Sequence, residues 1–206
     1  MIAKKKLIVI GDVAKDLRIF VGKIPIKLGR EVEIRRMYSC IGGAASVTST
    51  IGALLDFETF IITKIGDDKV GQRILSVLKR NNVITDYAFQ VKGRTARFIT
   101  IYDNDFNRCI FYFRGKCRLT VDDINQRREL ISNINIINIC PSPLDVMRYI
   151  IRLARKENKM IVLNPSGTLF DLRAEDVRWF FENADLVVIN EKEALRYTSQ
   201  DSLRIV

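Results

Sequence analysis

The sequence of 206 residues contains no histidine. This absence excludes Ser-His-Asp triads, histidine-ligated zinc and histidine general bases, so any catalysis must use carboxylates, lysine, arginine or backbone dipoles. The four cysteines form no Cys-x-x-Cys pair, and we expect reduced thiols. No apolar run approaches the ~20 residues that cross a bilayer. The first apolar run, residues 7–10, is too short for a signal peptide, so we expect a buried strand and a cytoplasmic protein.

Positive charge is the strongest compositional bias of the chain. Lysine and arginine number 34 against 24 acidic residues, which gives a net charge of +10. This charge favours an anionic partner such as a phosphorylated ligand, an acidic sugar or a nucleic acid. The basic residues are dispersed, without a basic arm or an aromatic-interleaved stripe, and this distribution disfavours specific nucleic-acid binding.

Short β-branched runs alternate along the chain with longer segments of helical periodicity. We predict strands at residues 7–10, 59–63, 134–139, 160–163 and 186–189, and helices at 44–55, 68–80, 144–157, 174–182 and from 191 onward. Strands that are apolar throughout, alternating with helices, are typical of a parallel sheet covered on both faces. The sequence therefore predicts an α/β fold.

Two regions interrupt this rhythm. Residues 17–21 and 32–37 form the first, and residues 94–102 and 108–113 form the second. Their mixed polar and aromatic alternation predicts antiparallel strands outside the main sheet. A small β-sheet attached to one edge of the α/β body would account for both regions.

Four short motifs lie at or after the predicted strands: Gly11-x4-Asp16, Gly42-Gly43, Gly66-Asp67-Asp68-x2-Gly71 and Asn190-x2-Glu193. The first places a carboxylate past the carboxyl end of a strand, where open α/β sheets bind ligands. Paired glycines before a helix let backbone amides approach a ligand. Each motif also has a purely structural interpretation as a turn, a close packing contact or a helix cap, and the last can be a simple capping box.

The order and spacing of these motifs, together with Pro25-x3-Gly29-x-Glu31 and Val83-x-Thr85-Asp86, resemble the ribokinase-like (PfkB-type) carbohydrate kinases over essentially the whole chain. The resemblance implies a Rossmann-like three-layer sandwich with a mainly parallel sheet and a small β-sheet lid, incomplete at the C-terminus. It implies one domain over residues 1–206 with lid segments at about 17–38 and 94–114. It also implies ATP and Mg²⁺ as cofactors, a sugar or sugar acid as substrate, a homodimer formed through the lid, and no membrane partner.

Matching positions carry the family's functional residues over to this chain. Asp16 would accept hydrogen bonds from sugar hydroxyls, and Gly42 and Gly43 would offer backbone contacts to the substrate. Asn190 and Glu193 match the family's Asn-x-x-Glu motif, which is associated with phosphate and magnesium, so Glu193 is the expected metal contact.

Other positions narrow the substrate. Tyr112 and Arg114 are similar to the Tyr-x-Arg that follows the lid in 2-keto-3-deoxygluconate kinases, where arginine suits a substrate carboxylate. Val47 replaces the asparagine that the family presents to the sugar, and Ala14 and Pro141 stand at positions that are polar in ribokinase itself. The resemblance therefore disfavours ribose. The family also contains kinases of nucleosides and of other small alcohols, and the lost polar contacts leave those substrates open.

The family's second signature, Asp-Thr-x-Gly-Ala-Gly-Asp, does not occur in the 206 residues, since the last glycine is Gly167. In that signature the glycine turn forms an anion hole for the γ-phosphate, and the last aspartate is the base that deprotonates the acceptor hydroxyl. We assign no catalytic residue to this chain. Each missing group is worth roughly 10²–10⁴-fold in rate, so we expect the 206 residues alone to be inactive.

Two further hypotheses stay open on the sequence. The chain can be a non-catalytic remnant that binds a sugar or a partner chain through its lid, with apolar faces exposed. Alternatively, its positive charge can serve nucleic-acid binding, which would be strong and salt-dependent.

Overall fold

The computed structural model describes residues 5–24, 29 and 31–198. Pro25, part of the motif that resembles the family, lies outside the described residues. The strands are β1 Lys6–Ile10, β2 Ala14–Phe20, β3 Arg36–Gly42, β4 Glu58–Ile62, β5 Lys64–Gly66, β6 Phe89–Val91, β7 Arg97–Tyr102, β8 Arg108–Phe113, β9 Ile136–Ile139, β10 Met160–Leu163 and β11 Leu186–Val187. The helices are α1 Ala44–Leu54, α2 Lys69–Arg80, α3 Val121–Asn125, α4 Arg128–Ser132, α5 Leu144–Lys156, α6 Ala174–Glu182 and α7 Glu191–Thr198, with a 3-10 helix at Ser166–Leu169.

The main sheet is parallel, in the order β11-β10-β9-β1-β4. β1 lies inside the sheet, and Ile8, Val9 and Ile10 have no exposed surface. Ile8 and Ile10 pack into a core that includes residues of α5 and α6, whereas Val9 faces the residues of α1 and α2. Helices on both faces explain why the strands are apolar throughout, and the predicted α/β fold with a parallel sheet is confirmed.

The helix boundaries follow local chemistry. α2 begins at the predicted position because the Asp68 side chain accepts a hydrogen bond from the Gly71 amide. The predicted strand at 186–189 is shorter in the structure, since β11 pairs only Leu186 and Val187 with β10, which itself ends at Leu163. The Val188 amide still donates to the Leu163 carbonyl at 2.8 Å, and the pairing stops there because β10 extends no further.

A second sheet of four strands, in the order β3-β2-β7-β8, stands beside the carboxyl end of β1. We call it the lid sheet. The expectation that all its strands are antiparallel is wrong, because β2 and β7 pair in parallel while the two outer pairs are antiparallel. Parallel pairing requires a long crossover, and α1, β4, β5, α2 and β6 supply it between β2 and β7.

The strand predicted at residues 32–37 lies at 36–42 instead. Its pairing with β2 runs from Ala14 opposite Gly42 to Phe20 opposite Arg36. β2 ends at Phe20, so residues further toward the N-terminus of β3 have no strand to pair with. The alternation of Val32, Glu33 and Ile34 is therefore a β-like pattern in an exposed loop.

The lid sheet has two chemically different faces, since successive side chains of a strand alternate. The inner face carries Asp16, Phe20, Thr100 and Tyr102, as the hydrogen bond from Thr100 to Asp16 and the stacking of Phe20 on Tyr102 demonstrate. The outer face carries the registered row of Ser39, Leu17, Ile99 and Phe111. The inner face thus carries the Asp16 carboxylate among aromatic and polar side chains, and the outer face carries a row of mainly apolar side chains.

Candidate active site

Asp16 lies on the inner face of the lid sheet near its base, and its side chain is buried. The two carboxylate oxygens have different partners. Oδ1 accepts a hydrogen bond of 2.8 Å from the Thr100 hydroxyl, and Oδ2 lies 3.0 Å from Nε of Arg18. Thr100 of the neighbouring strand β7 and Arg18 of the same strand thus fix the carboxylate in one orientation, as recognition of a hydroxyl pattern requires.

Gly42 and Gly43 connect β3 to α1 directly beside this carboxylate. A Cβ on Gly42 would lie 2.8 Å from Cβ of Asp16, and a Cβ on Gly43 would lie 2.3 Å from the backbone oxygen of Asp12. Gly43 also has φ of 87°, a conformation that other residues rarely adopt. Both glycines are therefore required by close backbone approach, and they bring the N-terminus of α1 to the carboxyl end of β1.

Asp12, which sequence reasoning passed over, is the second buried carboxylate of this region. It follows β1 directly, and its Oδ2 lies 2.9 Å from Nε of Arg114 at the end of β8. Burial raises the pKa of Asp12, while the charges of Arg114 and Arg118 oppose that rise. The signal in the sequence was the acid immediately after Gly11, but its arginine partner is 102 residues away and only the topology reveals it.

Tyr112 and Arg114 belong to the same corner of the lid. The Arg114 guanidinium carbon lies 4.4 Å from the centre of the Tyr112 ring. One guanidinium nitrogen is engaged with Asp12, and Tyr112 is largely exposed. The proposed recognition of a substrate carboxylate stays a prediction, and the structure adds a second role for Arg114 as the counter-ion of Asp12.

Asn190 and Glu193 lie at the start of α7, after β11. The Glu193 amide donates to Oδ1 of Asn190 at 2.9 Å, and the Asn190 amide donates to Oε2 of Glu193 at 3.2 Å. This reciprocal pair is a capping box, so the structural interpretation of the motif holds. Oε1 of Glu193 is directed to the Ser166 hydroxyl at 3.5 Å.

Ser166, which faces Glu193, has an unusual backbone conformation. Its φ of 47° is in the left-handed region although it is not glycine. The Tyr197 hydroxyl donates a hydrogen bond to the Ser166 carbonyl, and burial together with the nearby Glu193 charge raises the pKa of Tyr197 to about 12. Strained residues of this kind, at a cost of about 1–3 kcal/mol, cluster at ligand sites.

A cleft of about 720 Å³ separates the lid from the main sheet, a volume within the ordinary range of small-molecule sites. Its lid wall includes Tyr102, Arg108 and Ile110, and its floor includes Asn190 and Glu193. The inner face of the lid therefore overhangs the Asn-x-x-Glu turn. A ligand in the cleft would contact both parts.

The predicted residues thus form two groups on one rim of the molecule. Asp16, Gly42 and Gly43 adjoin the end of β1, whereas Asn190 and Glu193 follow β11. Because β9 and β10 separate these strands, the ends of β1 and β11 are about 14 Å apart at the usual strand spacing. That separation suits two ends of an extended ligand, or two ligands side by side.

For magnesium, the described part of the chain offers little. It contains no cluster of three or more aspartate, glutamate, cysteine or histidine side chains that could hold a metal ion. Mg²⁺ bound to a nucleotide needs only one or two protein carboxylates, since phosphates and water supply its other ligands. Glu193 meets that requirement because it offers one carboxylate. It does not by itself make a complete protein site for the ion.

Within the described ranges, none of the helices combines the length and the apolar character that crossing a bilayer demands.

Comparison with known proteins decides the family. The profile of the pfkB family carbohydrate kinases matches residues 4–204. The chain belongs to this family. Mouse ribokinase is 22% identical over 192 residues, which cover 91% of this chain and 58% of the mouse protein. The chain thus spans less than two thirds of the length of this pfkB relative.

Solved structures agree with the fold. Arabidopsis thaliana ribokinase, complexed with ribose and ATP, superposes with a TM-score of 0.70 at 19% identity and covers 96% of this chain and 64% of that one. A Burkholderia thailandensis nucleoside kinase in complex with inosine gives a TM-score of 0.78 at 15% identity, with coverages of 94% and 63%. At these identities the likeness establishes the ribokinase-like fold of this pfkB chain.

Proposed function

We propose that this chain carries the sugar-binding part of an ATP-dependent carbohydrate kinase, with a sugar or sugar acid as acceptor. The observation that carries the proposal is the fixed, buried carboxylate of Asp16 beside the glycine pair, on a lid face that overhangs a cleft. Such a carboxylate accepts hydrogen bonds from sugar hydroxyls with a defined geometry, and membership of the pfkB family of carbohydrate kinases supports a sugar as the substrate.

The roles divide between the base of the lid sheet, which carries Asp16, and the floor of the cleft, which includes Asn190 and Glu193. Asp16 orients the acceptor hydroxyls, and the backbone at Gly42 and Gly43 lets the sugar approach the end of β1. Asn190 and Glu193 face the phosphate side, where Glu193 offers one carboxylate to hydrated magnesium. Mg²⁺-ATP, when bound, supplies the transferred phosphoryl group. Lid contact with the sugar would exclude water from the cleft.

We also propose that the 206 residues alone do not transfer phosphate. They contain no Gly-Ala-Gly-Asp segment, and so they lack the family's general base and anion hole. Sugar binding depends on residues that are present, so binding and turnover are separable. The non-catalytic alternative is a chain that binds sugar without turnover. Sugars would stabilise it, and ATP would not.

A panel of pentoses, hexoses and sugar acids tests this proposal by thermal shift, calorimetry and a coupled assay of ADP release. We expect at least one sugar to raise the melting temperature, as binding to the folded state must. Asp16→Asn should abolish that shift, whereas Asp105→Asn, in the exposed turn after β7, should not. Turnover well above background would refute inactivity, and a panel without any binder would refute the sugar site.

The outer face of the lid supports a further proposal, a homodimer. Met37, Ile99, Phe111 and Phe113 are all at least 40% exposed, and contiguous apolar patches of this kind mark interaction sites. We expect sedimentation to give a dimer that Phe111→Asp converts to a monomer. Leu54→Asp, on the exposed side of α1, is the matched control. A monomeric wild type would refute the dimer.

Nucleic-acid binding is the third candidate and has only the net charge in its favour. A gel shift at low salt tests it, since phosphate contacts are strongest there. Binding to DNA or RNA that weakens steeply with salt would support it.

A further inference from the structure

A second, smaller pocket lies on the opposite side of the strands that carry the sugar site. It has a volume of about 290 Å³ and separates the base of the lid sheet from α2. Lys15 and Ile41 line it from β2 and β3, and Lys69, Val70, Arg73 and Ile74 line it from α2. None of these residues takes part in the cleft under the lid, so the pocket is a separate feature.

Three cations surround the mouth of this pocket, and no carboxylate belongs to its lining. Lys69 and Arg73 are four residues apart, which places them on one face of α2, and Lys15 approaches from β2. All three are exposed. Within the part of the chain that the structure describes, none of the three is in an ion pair.

The nearby acids already have other partners. Asp68 accepts hydrogen bonds from Gly71 and from the Thr95 hydroxyl, and those bonds lower its pKa although burial opposes them. Asp67 accepts from the Gly93 amide. Asp16 points to the inner face of the lid, where it meets Thr100. Asp68 is also paired with Arg97, and Asp16 with Arg18. None of these acids forms an ion pair with the three cations of the pocket.

Beneath the cations the pocket is apolar. Ile74 is buried, with 1% of its surface exposed, and Ile41 and Val70 pack against the same core cluster. A hydrated inorganic anion gains nothing from such a floor, whereas an organic anion buries its hydrocarbon part there and keeps its charge beside the lysines. The volume admits a ligand at the small end of the usual range.

We propose that this pocket binds a small organic anion, a phosphate monoester or carboxylate with a short apolar body, and that its occupancy is coupled to the sugar site. The coupling follows from strand geometry. Lys15 precedes Asp16 and Ile41 precedes Gly42, and Lys15 pairs with Ile41 across the two strands. A ligand on the outer side orders the same backbone that presents the sugar-binding groups on the inner side.

Hexyl phosphate is the probe. Hexanol is the control that lacks the charge, and inorganic phosphate is the control that lacks the apolar chain. We expect calorimetry on the full chain to detect hexyl phosphate, with weaker binding of the other two and an affinity that falls with added salt. Lys69→Gln with Arg73→Gln should weaken hexyl phosphate about tenfold, since two exposed charge contacts are lost. Arg80→Gln, on the last turn of the same helix, should leave it unchanged.

Several results would overturn the site. They are the absence of hexyl phosphate binding at millimolar concentration, equal affinity for hexanol, equal affinity for inorganic phosphate, or a double variant that binds as well as the wild type. A melting curve of each variant confirms folding, and Val70→Asn, which alters the floor and keeps all charges, must also weaken binding.

The coupling has its own measurement. Hexyl phosphate should change the affinity for the best sugar of the panel, and that sugar should change the affinity for hexyl phosphate by the same factor. Equal sugar affinities with and without the probe would refute the coupling. Because hexyl phosphate is titrated without sugar first, failure of the anion site and failure of the sugar site are distinguishable.

Discussion

The ion pair between Asp12 and Arg114 allows the most quantitative test. Asp12 is 8% exposed, and the Arg114 side chain, at 32% exposed, is its hydrogen-bonded counter-ion. The variant Arg114→Met removes the charge and retains much of the side-chain volume. It leaves a buried carboxylate without its partner, a change that typically costs 3–5 kcal/mol. We take about 3 kcal/mol, because Arg114 is partly solvated.

Protonation limits that cost in a predictable way. A carboxyl group with an unfolded pKa of about 3.9 is neutralised at a cost of about 1.4 kcal/mol for each pH unit above that value. Protonating Asp12, which removes the buried charge of the folded variant, costs about 1.5 kcal/mol at pH 5 and more than about 5 kcal/mol at pH 8. The full penalty of about 3 kcal/mol therefore applies at pH 8, and no more than half of it at pH 5.

The sign follows from linkage. Loss of Arg114 raises the folded-state pKa of Asp12 further above the unfolded value, so the folded state binds the proton more tightly between those two values. Stability relative to the wild type then falls as the pH rises through that window. For a chain of this size, 3 kcal/mol corresponds to a fall of about 6–12 °C in melting temperature.

Urea unfolding of the wild type and Arg114→Met at pH 5 and pH 8 measures both values. Asp12→Asn in the Arg114→Met background should recover most of the loss at pH 8, since the buried charge is gone. Arg118→Met, which removes a cation that acts on Asp12 through its charge, should cost less than Arg114→Met. A penalty as large at pH 5 as at pH 8, or a double variant without recovery, would refute the reasoning.

Three other predictions follow from single contacts. Gly43→Ala should destabilise the chain by more than about 2 kcal/mol, because the new Cβ would lie 2.3 Å from the backbone oxygen of Asp12. Gly93→Ala is the control, since Gly93 also has a positive φ but a Cβ there would have nothing within 4 Å. It should cost less stability in the same urea titration. Asp68→Asn should reduce the free energy of unfolding more at pH 7 than at pH 3 in the same titration. Burial would raise the pKa of Asp68, but hydrogen bonds from the Thr95 side chain and the Gly71 amide outweigh it and lower that pKa. The contribution of Asp68 is therefore complete above about pH 4 and declines as the pH falls from there through the folded-state pKa. Burial raises the pKa of Cys140 to about 12, so the native chain should leave this thiol unmodified by iodoacetamide at pH 8, and mass spectrometry that finds it alkylated without denaturant would contradict the burial.

The parallel sheet could be predicted because its strands are apolar on both sides and its helices have clear ends. Residues 174–182 were predicted as a helix and form α6 with the same bounds, and α2 begins after Asp68 as its cap indicates. Such features depend on neighbours a few residues away. They are the part of the fold that a sequence encodes locally.

The lid sheet and the candidate site were harder to predict, because their contacts join residues that are far apart in the sequence. The parallel pairing of β2 with β7 joins segments about 80 residues apart, and no local pattern specifies it. The counter-ion of Asp12 likewise comes from Arg114, at the end of another strand. Asp16 was found through its spacing from Gly11, whereas its partner Thr100 belongs to β7 and became visible only in three dimensions.

The register of β2 against β3 separates the two binding surfaces proposed for this chain. Lys15 and Asp16 are adjacent, so they lie on opposite faces, and a slip of one residue would exchange the cation for the carboxylate. Gly42 permits the observed register, because it pairs with Ala14 and leaves room for Asp16, whose Cβ would lie only 2.8 Å from a Cβ at that position. A residue with a side chain there would force β2 away from β3. The same glycine thus permits the register that places the Asp16 carboxylate on the inner face of the lid sheet and Lys15 on the outer face.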